Sequence, residues 1–219
     1  MAETTASSPI SPAEEEAVYY HEAGLNASWT GTRLALGGLS FLFGSFVFAF
    51  FYLKSLNSHG LWYTSGTHPK VWLGLLITIL VVVSALLQTA VLQMIKRGNK
   101  SAWQRGAAVA LLLGLAAVGC SIWQLLDLPF WPGASGFASV FVGFWPVYLT
   151  ITFCAMVWLE ILIMRARAIP QISFVEQPPT YAEAFSVQRF QASLSGFTLT
   201  WNYLAVVAII AEILFYLVH

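Results

Sequence analysis

Five apolar stretches, at residues 34–53, 71–94, 107–126, 138–164 and 199–218, set the terms on which this chain can fold. Each has about the 20 residues that an α-helix needs to cross about 30 Å of hydrocarbon. Within a bilayer the backbone must satisfy its own hydrogen bonds, which leaves only helices and closed barrels. Runs such as Leu73 to Leu87 and Val109 to Val118 lack the period-two alternation of a barrel strand. The reading is therefore all-α: a polytopic membrane protein built as a bundle of five transmembrane helices. With 58% hydrophobic and 9% charged residues, and a mean hydropathy of +0.73, too few polar side chains remain to coat a soluble globule of 219 residues.

A net charge of zero conceals an asymmetry. If there are five spans, Arg33, Lys96, Arg97, Lys100, Arg105, Arg165, Arg167 and Arg189 fall on one side, and only Lys54 and Lys70 on the other. The positive-inside rule then places the N-terminus in the cytoplasm and the C-terminus, at His219, outside. Residues 1–28 carry Ser, Thr, Pro and the acidic run Glu14-Glu15-Glu16, with neither the basic start and apolar core of a signal peptide nor the Arg-rich, acid-poor make-up of a transit peptide. They are expected to form a flexible acidic cytoplasmic tail ahead of a transmembrane domain at 29–219, in a bacterial cytoplasmic membrane.

Lipid tails are as apolar as leucine, so helices in a membrane associate through close backbone approach and a few polar contacts. Gly106, Ala110 and Gly114 repeat at four-residue spacing on the third span, as do Ser40 and Gly44 on the first. Both sets are expected to pack against neighbouring helices. Gln88, Gln93, Gln124 and Asn202 are amides that need interhelical partners. Cys120 and Cys154 lie within spans, where a thiol packs as a small hydrophobe. Pro146 removes a backbone donor inside the fourth span, so a local kink is expected, with Trp145 and Tyr148 shaping a lipid or partner groove beside it.

Three carboxylates lie near or within the membrane. Asp127 falls at the outer end of the third span, Glu160 about a turn from Arg165, and Glu212 in the outer half of the fifth. Glu212 is the costliest of these to bury, because a charge in hydrocarbon costs several kcal/mol.

The four histidines, His21, His59, His68 and His219, all lie outside the apolar stretches. Haem and copper in a membrane core are commonly held by inward-pointing imidazoles, so this chain is expected to bind neither and to hold no metal. It has no phosphate-cradling Gly-Lys-Ser/Thr loop, no H-E-x-x-H helix and no Ser-His-Asp cluster, so no catalytic residue is assigned. A single proline break without a counterpart is unlike the paired interrupted helices of many transporters.

The order of features along the last four spans resembles subunit III of haem-copper terminal oxidases, the cytochrome c oxidase subunit III family, in a short five-helix form. The basic turn Lys96-Arg97-Gly98-Asn99 is followed by Leu113-Gly114 and by Gln124-x-x-Asp127, where the family has LG and Q-x-x-E. Ala138 to Phe144 is similar to the family stretch leading into GFHGLH, and Trp201 to Val207 to the family's WHFVDVV. Trp145 and Tyr148 replace family histidines, Asn202 replaces another, Ala205 replaces an aspartate, and Phe41 stands where the family has a buried glutamate. Roles tied to those lost residues are not carried over. The connection from Arg165 to Ser195, stiffened by Pro178-Pro179, is longer than usual for the family.

What the resemblance implies is a non-catalytic accessory subunit that holds no cofactor. It would pack beside subunit I, with subunit II in the same complex, and support oxygen reduction and proton translocation while haem and copper reside in the partners. It also implies bound phospholipid between helices, for which Trp145 and Trp201 are candidate neighbours, and no nucleic-acid partner. The contact residues expected on this reading are Gln124, Asp127, Trp145, Tyr148, Trp201, Asn202 and Glu212, with the phenylalanines of the first span, Phe41, Phe43, Phe46, Phe48, Phe50 and Phe51, meeting lipid or another subunit. Rival readings are a small proton-coupled transporter that titrates Glu160 and Glu212, and an accessory subunit of a nitric oxide reductase.

Overall fold

The computed structural model describes residues 12–57, 60, 62, 68–170, 174 and 181–218. Five helices follow one another: α1 (Pro12–Ser55), α2 (Val71–Lys96), α3 (Lys100–Leu126), α4 (Gly136–Ala168) and α5 (Tyr181–Glu212), the last passing into a π-helical segment, Ile213–Leu217. All five are long and apolar enough to cross a membrane, and no strand occurs among the described residues.

Pairings at the helix ends define the topology. Lys70, which precedes α2, forms an ion pair with Asp127 at the end of α3. Lys100, at the start of α3, donates to the carbonyl of Ile169 just past α4. Lys54, near the end of α1, donates to the carbonyl of Val218 beyond α5, so α1 and α5 run parallel while α2, α3 and α4 alternate in direction. Lys54, Lys70 and Asp127 thus share one end of the bundle. Lys96, Arg97, Lys100, Arg105, Arg165 and Arg167 share the other, here called the basic end.

The basic turn between α2 and α3 explains its own sequence. Gly98 adopts φ of +78°, its N–H bonds the carbonyl of Ile95, and the Asn99 N–H reaches back to Met94 O at 3.0 Å. This is the Schellman closure that favours glycine after a helix. Asn99 then caps α3, its side chain accepting from Ala102 N at 3.0 Å.

The small residues of α3 do what their spacing predicts. A methyl at Gly106 would strike Val91 of α2, one at Gly114 would strike Met156 of α4, and Ala110 between them is fully buried. Ser84 of α2 donates to the Ala110 carbonyl at 2.7 Å, a contact that close backbone approach permits. The Ser40 and Gly44 pair behaves otherwise. Nothing lies within 4 Å of a methyl built at Gly44, and both residues line an open cleft instead of a helix contact.

Two expectations about helix ends are corrected. α1 starts at Pro12, so residues 12–28 are helical and not a flexible tail, and residues 1–11 lie outside the described set. Proline suits a first helical position, and Ala and Glu of the next turn are strong helix formers. The helix is held there by α5, whose first half it accompanies. His21 stacks on Phe185 with ring centroids 4.0 Å apart, and Thr32 lies against Gly196. α5 likewise begins at Tyr181, well before the apolar stretch at 199. At 44 residues α1 is about 66 Å long, roughly twice the hydrocarbon thickness. The Pro178-Pro179 segment lies outside the described residues.

α1 sits at the edge of the bundle. Only 11% of its most apolar stretch is buried, against 50% for α5. Its phenylalanines divide by helical face: Phe43 and Phe50 point into the core, whereas Phe41 and Phe48 are 82% and 70% exposed.

Candidate intramembrane polar site

The core of the bundle is aromatic, and α4 supplies its spine. Phe137, Phe141, Phe144, Trp145 and Tyr148 recur at the intervals that bring residues onto one helical face, and all five are buried. Trp145 meets Phe144 and Tyr148 edge to face, Phe141 meets Phe215 at the end of α5 in the same way, and Phe144 stacks on Tyr148. Trp145 and Tyr148 are each 1% exposed, so neither lines a groove for lipid or a second chain, as the sequence suggested. α4 continues as a helix through Pro146, whose carbonyl accepts from Thr150 Oγ1 at 2.8 Å. Tyr148 donates its hydroxyl to Leu204 O at 3.1 Å, tying α4 to α5. Trp201 is likewise wholly buried and cannot touch lipid.

Polar side chains are gathered in two places along the seam of α2 with α3 and α5. The deeper one joins Trp201, Ser84 and Ala110. The indole Nε1 donates to Ser84 Oγ at 3.1 Å, and Ser84 passes the chain on to the α3 backbone. One turn along, Asn202 donates to Thr89 Oγ1 at 2.9 Å, and Thr89 donates to Ala85 O. Asn202 is thus a cross-helix bond. Gln88, between these contacts on α2, is fully buried with neither amide atom partnered, while Gln93 faces outward.

The second gathering lies toward the end that carries Lys70 and Asp127. Gln124 of α3, 2% exposed, donates its amide to the Tyr216 phenol in the π-helical segment. The ring of Tyr216 seats on Gly74 of α2, where any larger residue would collide with it. Four residues before Tyr216, and so on the same face, Glu212 lies beside the hydroxyl of Thr78. Thr78 is 7% exposed. Three oxygen atoms here, Thr78 Oγ1, Gln124 Oε1 and Glu212 Oε2, are buried without a hydrogen-bond partner. At the surface the column ends in the Lys70–Asp127 ion pair, one turn beyond Gln124 on α3 and two turns beyond Thr78 on α2.

The end of α5 at this site is π-helical. Its wider turn, marked by the bond from Val218 N to Ile213 O at 2.9 Å, carries three consecutive residues, Leu214, Phe215 and Tyr216, into the interior. An α-helix would spread three such residues over about 200° of its surface. Isolated π turns recur at functional sites.

Of the residues singled out by sequence, Gln124, Asp127 and Glu212 belong to this column, Asn202 and Trp201 to the deeper one, and Trp145 and Tyr148 to the aromatic core. Sequence reading missed Thr78 and Tyr216. The four-residue step from Glu212 to Tyr216, matching the step from Gly74 to Thr78, is the signal that points to both. Glu160 is exposed near the basic end and shares no site with Glu212. Among the described residues no three His, Cys, Asp or Glu side chains come together in a way that could hold a metal ion.

A separate apolar cleft of about 200 Å³ opens between α1, α4 and α5. Phe43, Phe46, Phe144, Tyr203, Val207 and Phe215 are among its walls, and Ser40 and Gly44 leave its α1 side low. No protein-family model matches this chain, and no curated protein matches it.

Proposed function

We propose that this chain is a cofactor-free accessory subunit of a haem-copper terminal oxidase, packed beside catalytic subunit I, with subunit II in the same complex, in a bacterial cytoplasmic membrane. The observation that carries the reading is the position of α1. A helix with 11% of its apolar stretch buried leaves Phe41, Phe48, Phe51 and Tyr52 facing out of the bundle, which suits a subunit that docks on a larger membrane protein. The family-like residues support it from another direction. The turn Lys96-Arg97-Gly98-Asn99 joins α2 to α3, and the Gln124 and Asp127 pair orients α3 by bonding Tyr216 and Lys70.

In this reading the basic end faces the cytoplasm and the end carrying Asp127 faces outward, following the eight-to-two division of cations. The chain contributes shape and stability. Haem and copper belong to the partner chains, and the same architecture fits an accessory subunit of a nitric oxide reductase. The cleft between α1, α4 and α5 takes the acyl chain of a phospholipid, walled by phenylalanines rather than by Trp145 and Trp201. A transporter titrating Glu160 together with Glu212 is less well supported, because the two lie at opposite ends of the bundle and Glu160 faces outward.

Isolation of the tagged chain in mild detergent tests the reading. Co-purification of a large multi-helix chain with haem absorption is expected. A colourless chain that survives purification alone contradicts it.

A further inference from the structure

We propose that Glu212 is a proton-exchange site within the membrane, in contact with the face that carries Lys70 and Asp127 through the Tyr216 and Gln124 pair. The inference is independent of the accessory-subunit reading, in which Glu212 serves only as a structural contact.

Four observations carry it. Glu212 is the one carboxyl within the apolar part of α5, and among the described residues no ion pair involves it. Glu212 as a whole is half-buried, but its Oε2 is buried and unpartnered, and the carboxyl lies beside the Thr78 hydroxyl. A charged carboxylate in that position would cost several kcal/mol, whereas the neutral acid is both donor and acceptor and can bond a hydroxyl. Tyr216 accepts from Gln124, which leaves the phenol proton free to turn toward the carboxyl four residues away. Finally, the column of polar groups leads in one direction only. It runs from Glu212 through Tyr216 and Gln124 to the ion pair at the surface, while on the opposite side the fully buried, apolar Val81 and Ala208 separate Glu212 from the Trp201–Ser84 bond.

Other charges are distant from the carboxyl. α2 presents Lys70 at its start, α3 presents Asp127 at its end, and α1 presents Lys54, engaged with Val218 O. α4 has no Asp, Glu, Lys, Arg or His between Gly136 and Leu159, and Tyr148 there is bonded to Leu204. Proton exchange at Glu212 is a simple balance: the carboxylate takes one proton from water at the Lys70 face and returns it there.

The test is labelling by a hydrophobic carbodiimide, which enters the bilayer and is attacked by carboxyl groups in their protonated form. The full chain would be placed in phosphatidylcholine vesicles, its orientation fixed by selecting on a terminal tag, and the Glu212 peptide read by mass spectrometry. Labelling should fall about tenfold per pH unit once the pH at the Lys70 face exceeds the titration point, as the neutral fraction does. It should be indifferent to the pH of the basic face. Glu212→Gln should abolish it, and Tyr216→Phe should make its response to a pH jump slower. An unlabelled Glu212, labelling constant with pH, or a response to the basic face would each overturn the proposal. Because the wild-type chain alone gives the deciding readout, a variant that fails to fold does not shelter it.

Discussion

Gln124 on α3 and Tyr216 on the π-helical end of α5, 92 residues apart, hydrogen-bond each other in the interior with the tyrosine ring seated on Gly74 of α2. One contact thereby fixes three helices. Removing either partner leaves the other buried without a mate, so Tyr216→Phe and Gln124→Leu should each destabilise the bundle by about 1–3 kcal/mol. The double variant should lose less than the sum. Thermal unfolding in detergent, arranged as a double-mutant cycle, measures the coupling.

The two close approaches on α3 differ in how readily the neighbour yields. Gly106 faces the β-branched Val91, which is stiff at χ1, and Gly114 faces Met156, which has several rotatable bonds. Gly106→Ala should therefore lower the melting temperature more than Gly114→Ala, each within about the 1–3 kcal/mol typical of overpacking. Met156→Ala should rescue Gly114→Ala in part.

The turn at Gly98 requires a positive φ that other residues adopt at a cost. Gly98→Ala should destabilise by about 1 kcal/mol and Gly98→Asn by less, since asparagine tolerates the left-handed region. Asn99→Ala should cost a further increment of about 1 kcal/mol through the lost cap on α3.

Lys70 and Asp127 are 49% and 42% exposed, so their ion pair should contribute about 0–1 kcal/mol. Asp127→Asn is expected to leave the melting temperature nearly unchanged, and any small effect should fade in high salt as screening grows.

How much of this was legible in the sequence differs from element to element. The five spans were readable because hydrophobic length is a strong signal, and the α3 small-residue face because four-residue spacing fixes which atoms meet. The early starts of α1 at Pro12 and α5 at Tyr181 were not, because those segments are held by each other and not by the bilayer. The direction of Trp145 and Tyr148 was readable in principle. Phe137, Phe141, Phe144, Trp145 and Tyr148 trace one helical face, a stripe more informative than the neighbouring proline. Tyr216 was readable only in combination: its four-residue step from Glu212 matches that from Gly74 to Thr78, but the partner helix that makes the match meaningful is fixed by the fold, not by the sequence.

The exposed face of α1 is where the proposed role is most open to measurement. Phe48→Glu and Phe41→Glu change side chains on the outward face of α1 that the core does not enclose, so the isolated chain should stay folded, whereas docking on a catalytic subunit should fail. The deciding measurement is the reduced-minus-oxidised visible spectrum of material captured through a tag on this chain, wild type beside the two variants. Haem bands in the wild type that are lost in the variants, with the chain itself recovered in equal amount, are the predicted result. A colourless wild-type preparation, or haem bands of equal height in all three, would contradict it.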